Sequence, residues 1–166
     1  MHTRPATVAD AAAIARIYNE GIEERIATFE TRPRTAADIE RWLRDGIPLI
    51  AVADEANAVL GWASAQPYRP GRDAYLGVAE FSVYVGREAR GRGAGRLAIE
   101  ALAAECEARG IWKLVSRIFP ENVASLALCR ATGFREVGIY RRHGRLDGLW
   151  RDCVIVERLM GDAAGD

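Results

Sequence analysis

A glycine-rich loop between two regular segments is the first stretch of this chain whose residue types could do chemistry. Gly91, Gly93 and Gly95 alternate with arginine and alanine, soon after an apolar, β-branched run over 78–85 that predicts a strand. The residues that follow, as far as Cys106, carry apolar side chains at helical spacing. A helix start has free backbone N–H groups and a positive dipole end, and glycines let a ligand approach closely. The loop therefore predicts a site for a phosphate or pyrophosphate.

Three phosphate-binding patterns can be compared with this loop. A P-loop ends in Gly-Lys followed by Ser or Thr, whereas Arg96 and Leu97 follow the last glycine here. A dinucleotide fingerprint has the spacing Gly-x-Gly-x-x-Gly, which these evenly alternating glycines do not match. The third pattern, Arg/Gln-x-x-Gly-x-Gly after a strand, is matched by Arg90, Gly93 and Gly95. A tight turn with solvated arginines stays open as the alternative to an anion site.

The composition places the chain among single-domain globular proteins. It has 166 residues, of which 49% are apolar and 28% charged. Lysine plus arginine and aspartate plus glutamate both number 23, and this balance argues against a nucleic-acid partner bound by bulk charge. We expect no membrane partner either. No apolar run approaches the roughly 18 residues of a membrane-spanning helix, and the N-terminus lacks a signal pattern.

The cysteines and histidines predict neither a disulfide framework nor a metal site. The three cysteines, Cys106, Cys129 and Cys153, are odd in number and far apart in sequence, and no Cys-x-x-Cys pair occurs. Only two histidines, His2 and His143, are present. This pattern fits a protein of the reducing cytoplasm.

The elements that must position the loop alternate between strand and helix. Helix starts are indicated by Thr7 with Asp10, by Thr35 with Asp38, and by Asn122. Polar loops are expected between the strands, at 67–74 and 141–148. The predicted strands, beside a short one near the N-terminus, are 49–53, 59–66, 78–85, 112–118, 134–140 and 149–159. The order predicts one α/β domain over 1–160, with a mixed, twisted sheet of about six or seven strands and about four helices, and a disordered tail at 161–166.

Several stretches together resemble the GCN5-related N-acetyltransferase (GNAT) family. Asn122-x-x-Ser125 followed by Gly133-Phe134 resembles a helix of that family, and the loop pattern resembles its acetyl-CoA loop. Ala79-Glu-Phe-Ser-Val-Tyr-Val85 is similar to one strand of the branch that acetylates phosphinothricin, methionine sulfoximine and arsinothricin. The stretches Thr28-Phe-Glu-Thr31 and Tyr68-Arg-Pro70 fit the same branch. The resemblance extends from residue 2 to residue 160 and implies the GNAT fold.

The resemblance implies acetyl-CoA as co-substrate. It puts the pyrophosphate on the amides of 92–96 and the pantetheine arm along the strand edge and beside Asn122, whose alternative role is a plain helix cap. The residues it assigns to acetyl-CoA are Phe81, Val83, Val85, Arg90, Gly91, Arg92, Gly93, Ala94, Gly95, Arg96, Asn122, Ser125 and Cys129.

Glu80 is the expected general base, because the acceptor arrives as an ammonium ion and must lose a proton before it attacks. A carboxylate in so apolar a strand is unusual unless it is functional or paired, and an ion-paired or edge glutamate is the alternative. The resemblance also places an oxyanion donor near the amide of Val83. Cys129 stands where the family often has a tyrosine acid; the interpretation we favour is inert packing, with water as the acid.

Arginine-rich loops suggest a small anionic acceptor, since the planar guanidinium binds carboxylates and oxyanions well. A solvated polar loop is the alternative for each arginine. The expected acceptor-binding residues are Phe29, Glu30, Arg69, Arg72, Tyr75, His143 and Asp147, with Arg141 nearby. The branch implies a homodimer that acetylates arsinothricin or phosphinothricin, or else methionine sulfoximine. Alternatives are acetylation of a protein N-terminus, a lysine or a polyamine, and a non-catalytic acetyl-CoA-binding module.

Overall fold

The protein folds into one seven-stranded sheet with helices on both faces, as described for residues 1–165 by a computed structural model. The strands are β1 (His2–Pro5), β2 (Leu49–Ala53), β3 (Val59–Pro67), β4 (Val78–Val85), β5 (Lys113–Ile118), β6 (Arg135–Leu146) and β7 (Leu149–Leu159). The helices are α1 (Ala11–Glu24), α2 (Ala36–Arg44), α3 (Ala94–Ala108) and α4 (Val123–Ala131). The predicted fold class is confirmed.

The strand order is β1-β2-β3-β4-β5-β7-β6, and every neighbouring pair is antiparallel except β4 with β5. The parallel ladder between β4 and β5 joins only 78–80 with 113–115. Beyond it, no ladder pair links 81–85 to 116–118 in the described part of the chain. The sheet therefore opens between its two central strands.

Side chains alternate between two cores, as the period of a strand requires. One core lies under α3 and α4 and includes Phe81 and Leu102. The other lies under α1 and α2, around the fully buried Trp62. Helix starts follow the capping signals of the sequence: Asp38 reaches back to the amide of Thr35 at 2.9 Å, and Asp10 does the same to Thr7 at 2.8 Å.

The hairpin of β6 and β7 is longer than the sequence predicts. Instead of a polar loop over 141–148, β6 continues to Leu146 and turns at Asp147 and Gly148, whose φ angles are +50° and +79°. Positive φ at both central residues is the signature of a two-residue hairpin turn. The sequence did not predict residues 141–146 as strand, because β6 is almost entirely exposed and shows no apolar alternation.

Within the segment 161–166, which the sequence predicts to be a disordered tail, Gly161–Ala164 form a 3-10 turn and Asp166 lies outside the described residues. No helix within residues 1–165 is both long and apolar enough to cross a membrane.

Candidate active site

The opening between β4 and β5 holds two connected cavities. The loop groove, of about 390 Å³, runs from the edge of β4 to the start of α3. The acceptor cavity, of about 270 Å³, lies between the diverging strands and the segment that follows α1. Their walls share Ala27, Val83, Tyr84, Asn122 and Ser125, so a ligand in one cavity can meet a ligand in the other.

The glycine-rich loop forms one end of the loop groove. Gly91 and Gly93 have φ angles of +72° and +88°, a region that other residues adopt only with strain. A Cβ at Gly95 would lie 3.0 Å from Cδ2 of Leu128, so this glycine allows α3 and α4 to pack closely. Gly93 offers no side chain to cap α3, and the first amides of the helix are left to a ligand. This cradle fits a pyrophosphate.

Most arginines of the loop are already neutralised by glutamates. Arg90 donates to the carbonyl oxygen of Val85 at 3.1 Å and pairs with Glu24 of α1 at 3.0 Å, so it anchors the loop. Burial raises the pKa of Glu24, but hydrogen bonds from Arg90 and Arg87 outweigh burial and leave that pKa below its ordinary value. Arg96 pairs with Glu100 on its own helix.

Arg92 is exposed like Arg90 and Arg96, but it differs from them because it forms no ion pair within residues 1–165. It does not line the groove, but it lies in sequence between two glycines that do. Of the residues expected to bind acetyl-CoA, all except Arg92 line one or both cavities.

Glu80 lies on the wall of the acceptor cavity and is paired. Both Nε and Nη2 of Arg117 donate to its Oε1 atom, at 2.9 and 2.5 Å. Its side chain is 29% exposed, so it is less buried than the apolar strand suggests. The ion pair that the sequence left open as an alternative is therefore present. The sequence did not predict a role for Arg117, since a single arginine in a strand matches no motif.

Cys129 lies on the same wall but is 1% exposed. Burial, with a smaller effect from Glu136, raises the pKa of its thiol to about 12. A free thiol has a pKa of about 8.5, so Cys129 is a much weaker acid than the role of proton donor to a thiolate requires. The structure favours inert packing at this position.

Two tyrosines on the wall of the acceptor cavity, Tyr18 and Tyr84, belong to an aromatic cluster. The rings of Tyr18 and Tyr84 lie 4.7 Å apart, and Tyr84 stacks on Trp62 at 4.9 Å. Burial raises the pKa of both tyrosines, so they stay protonated hydrogen-bond donors. A Cβ at Gly21 would lie 2.6 Å from the ring of Tyr84. A glycine on the buried face of a helix indicates that a large side chain packs closely there, so Gly21 was the sequence signal for this cluster.

Phe29 and Glu30 lie on the cavity wall, as their predicted role requires. Glu30 pairs with Arg34 at 2.8 Å, and the ring of Phe29 meets Phe119 edge-on at 4.8 Å. A Cβ at Gly144 would lie 2.7 Å from the Phe29 ring. The β6–β7 hairpin therefore packs directly on Phe29, a residue of the cavity wall.

The other predicted acceptor residues lie outside the cavity wall. Arg69 stacks over the rings of Tyr68 and Tyr75 at 5.4 and 5.5 Å, and Arg72 belongs to the same exposed loop. Asp147 is held at the hairpin turn, where its Oδ2 pairs with Nε of Arg25 at 3.0 Å. These residues are not brought to Glu80, and their roles stay predictions.

His143 lies closer to the site. Its Nε2 atom stands 3.5 Å from Nη1 of Arg117, and its ring lies 4.9 Å from that of Tyr140. A bulge at this point of β6, where Tyr140 faces Cys153 and Gly144 faces Arg151, positions the histidine. Among the described residues, no group of three or more His, Cys, Asp and Glu side chains could hold a metal ion.

The chain belongs to the GNAT acetyltransferase family, because residues 2–135 match the model of the acetyltransferase (GNAT) domain. It is 34% identical over 158 residues to an L-methionine sulfoximine/L-methionine sulfone acetyltransferase of Pseudomonas aeruginosa, covering 93% of this chain and 91% of that protein. The predicted family and the enzyme class, acyltransferase, are confirmed.

Two solved structures show the same fold at comparable identity. A phosphinothricin acetyltransferase from Sinorhizobium meliloti, solved in complex with acetyl-CoA, superposes with a TM-score of 0.89 at 32% identity, over 99% of this chain and 90% of that one. A ribosomal-protein-alanine N-acetyltransferase from Brucella melitensis superposes with a TM-score of 0.89 at 34% identity, over 96% of this chain and 100% of that one.

The burial of the three cysteines predicts that their thiols are unreactive in the folded protein. Burial raises the pKa of the Cys106 and Cys129 thiols to about 12 and also raises the pKa of Cys153. Because only the thiolate reacts with a disulfide reagent, we expect no measurable reaction of the folded protein with Ellman's reagent at pH 8. Three thiols should react after unfolding in guanidinium. Rapid release from the native protein would contradict the closed packing around these side chains.

Proposed function

We propose that this acetyltransferase transfers an acetyl group from acetyl-CoA to the α-amine of a small, toxic analogue of glutamate. Arsinothricin or phosphinothricin is the preferred acceptor, and methionine sulfoximine is the next. The observation that carries the proposal is the acceptor cavity, about 270 Å³ in volume, whose wall has two carboxylates and one arginine and shares residues with the loop groove. That volume suits one small molecule.

The groove residues support acetyl-CoA as the co-substrate, which supplies an acetyl group activated as a thioester. The amides at the start of α3, with Arg92, would hold the pyrophosphate. The open edge of β4 from Phe81 to Val85 would pair with the amides of the pantetheine arm. Asn122 accepts a hydrogen bond at its Oδ1 atom from the amide of Ser125, at 3.1 Å, and this leaves its Nδ2 group to donate to a ligand. The cap and the ligand role are compatible.

Glu80 is the proposed general base. An ammonium group in the acceptor cavity lies within reach of its carboxylate, which accepts one proton and so frees the electron pair of the nitrogen for attack. The amide of Val83, on the open edge of β4, is the proposed oxyanion donor. The high pKa of Cys129 supports water as the acid that protonates the departing thiolate.

The size and charge of the acceptor cavity favour this proposal over its alternatives. A protein N-terminus or a lysine needs a groove that also receives the protein chain, whereas this cavity has a volume of about 270 Å³ and an arginine on its wall, which favours a small anionic acceptor. A non-catalytic module would have no use for the Glu80 carboxylate on the wall of the acceptor cavity. Phe29 and Glu30 are proposed to contact the acceptor, while Arg69, Arg72, Tyr75, His143 and Asp147 are proposed to act from its rim.

The protein is also proposed to be a homodimer. Exposed apolar side chains on the edge strand β6, namely Val137, Ile139 and Tyr140, support this assembly. Sedimentation velocity measures the number of subunits.

The proposed location of the protein is the cytoplasm. The three free cysteines and the proposed use of acetyl-CoA support this location. A fluorescent fusion would reveal a different location.

The loop groove can be tested with one glycine substitution. Acetyl-CoA should raise the melting temperature of the wild-type protein, and Gly93→Glu should abolish that rise because a carboxylate then repels the pyrophosphate. Gly110→Glu is the matched control, since Gly110 lies at the other end of α3 with a similar φ of +78°. An undiminished rise in the Gly93→Glu protein would overturn the phosphate assignment.

The role of Glu80 as general base can be tested by replacing its carboxylate with an amide. Glu80→Gln should lower kcat on the order of 10²-fold or more at pH 7, with acetyl-CoA binding intact and partial recovery at high pH, where more free amine is present. Glu136→Gln is the matched control, because Glu136 accepts the same two donors from Arg130 outside both cavities. A wild-type rate for Glu80→Gln at pH 7 would remove Glu80 from the mechanism.

The acceptor class can be tested with a panel of amines. We expect kcat/KM for arsinothricin and phosphinothricin to exceed that for glutamate by roughly 10- to 200-fold, because the planar terminus of glutamate fills less of the pocket. Methionine sulfoximine, spermidine and a peptide with an N-terminal alanine complete the panel, with free thiol as the readout. If glutamate, spermidine or the peptide wins, the proposed acceptor is wrong although the fold stands.

A further inference from the structure

Arg117 is the only arginine or lysine on the wall of the acceptor cavity within residues 1–165. The same wall has two carboxylates, Glu30 and Glu80. Glu30 is neutralised by Arg34, which does not belong to the wall. An anionic group that enters the cavity therefore meets one positive charge, and that charge belongs to Arg117.

The geometry of the ion pair between Arg117 and Glu80 allows another carboxylate to replace Glu80 as the partner of Arg117. Both donors of the guanidinium converge on one oxygen, Oε1, instead of forming a fork with one bond to each oxygen. Oε2 of Glu80 receives no hydrogen bond from the described residues. The Arg117 side chain is 47% exposed, so water screens the pair and weakens it.

The guanidinium also has donor capacity left. Of the five N–H groups of an arginine, two are used on Glu80. Nη1 is directed toward Nε2 of His143, but the separation of 3.5 Å is too long for a good hydrogen bond. A carboxylate that enters the cavity can thus take a two-bond fork on Arg117, which is the stronger arrangement.

We propose that Arg117 binds the α-carboxylate of the acceptor and that this binding releases Glu80 to take the proton of the amine. The inference rests on the proposed function, because it needs an α-amino acid as acceptor. In such a molecule the carboxylate and the ammonium are attached to the same carbon. A carboxylate on Arg117 therefore brings the ammonium to the neighbouring Glu80.

The exchange leaves every charge and proton accounted for. The acceptor carboxylate replaces Glu80 as the partner of Arg117, and Glu80 becomes the partner of the ammonium. One N–H bond of the ammonium then breaks and one O–H bond forms on Glu80. The electron pair left on the nitrogen attacks the acetyl carbon, and the C–S bond of the thioester then breaks. The nitrogen loses its second proton to solvent, water protonates the departing thiolate, and Glu80 later returns its proton to solvent. An amine without a carboxylate leaves Glu80 paired with Arg117, so we expect polyamines to be poor acceptors.

The experiment compares phosphinothricin with its decarboxylated analogue, 3-aminopropyl(methyl)phosphinate, on the wild-type enzyme and on Arg117→Met. We expect the wild type to prefer phosphinothricin strongly. Arg117→Met should raise KM for phosphinothricin on the order of 10- to 100-fold, because hydrogen bonds to a charged group are lost. KM for the analogue should not change. Calorimetric titration of the CoA-saturated protein should show the same loss of phosphinothricin affinity without catalysis.

Arg130→Met is the matched control. Arg130 donates to Oε1 of Glu136 from Nε and Nη2 at 2.9 and 2.5 Å, the same distances as in the Arg117–Glu80 pair, but outside both cavities. This variant should keep both KM values. Arg117→Lys keeps the charge without the fork and should show an intermediate KM. A preserved rise in melting temperature with acetyl-CoA confirms that each variant is folded.

The outcomes separate the inference from the proposed function. If Arg117→Met lowers kcat equally on both amines and leaves KM unchanged, Arg117 only positions Glu80 and the inference is overturned. If the wild type acetylates phosphinothricin and its analogue equally well, carboxylate recognition is overturned while the proposed function stands. If the wild type acetylates no glutamate analogue, the proposed function itself fails.

Discussion

The divergence of β4 from β5 is the constraint on which the rest of the site depends. Three parallel pairs hold the two strands together, and then the strands separate at Glu80. Antiparallel ladders on their outer sides, β3 with β4 and β5 with β7, continue past that point and prevent the gap from closing. Ser116 donates to the carbonyl oxygen of Phe81 at 3.0 Å, at the base of the opening. The backbone groups beyond it are left for a ligand.

Charge in the opening is set by pairing more than by composition. The chain is rich in arginine, yet the arginines nearest the two cavities are mostly matched by acids: Arg90 by Glu24, Arg96 by Glu100 and Arg34 by Glu30. Arg92 at the loop has no such partner among the described residues, and Arg117 in the cavity has only a screened one. Around the two cavities, the positive charge left for an anionic ligand is therefore that of Arg92 and Arg117.

The C-terminal end of α1 connects the two halves of the site. Glu24 anchors Arg90 and with it the glycine-rich loop, while the next residue, Arg25, pairs with Asp147 at the tip of the β6–β7 hairpin. The segment after α1 then supplies Phe29, which packs beneath that hairpin. The loop and the hairpin are thus both held by the end of one helix, directly after which Arg25 adopts a left-handed conformation with φ of +59°.

The sequence by itself determined the elements whose causes are local. The glycine-rich loop, the strand over 78–85, the capping residues and Asn122 were all predicted, because turns, caps and apolar periodicity depend on neighbours in the chain. Only the tertiary structure decided which distant residues meet. Glu80 and Arg117 are 37 positions apart and face each other because a parallel ladder sets their register. Tyr18 joins Tyr84 through the packing of α1 on the sheet, and Arg69 stacks on two tyrosines outside the cavity wall. No pattern along the chain encodes such contacts, since they arise when separate elements pack.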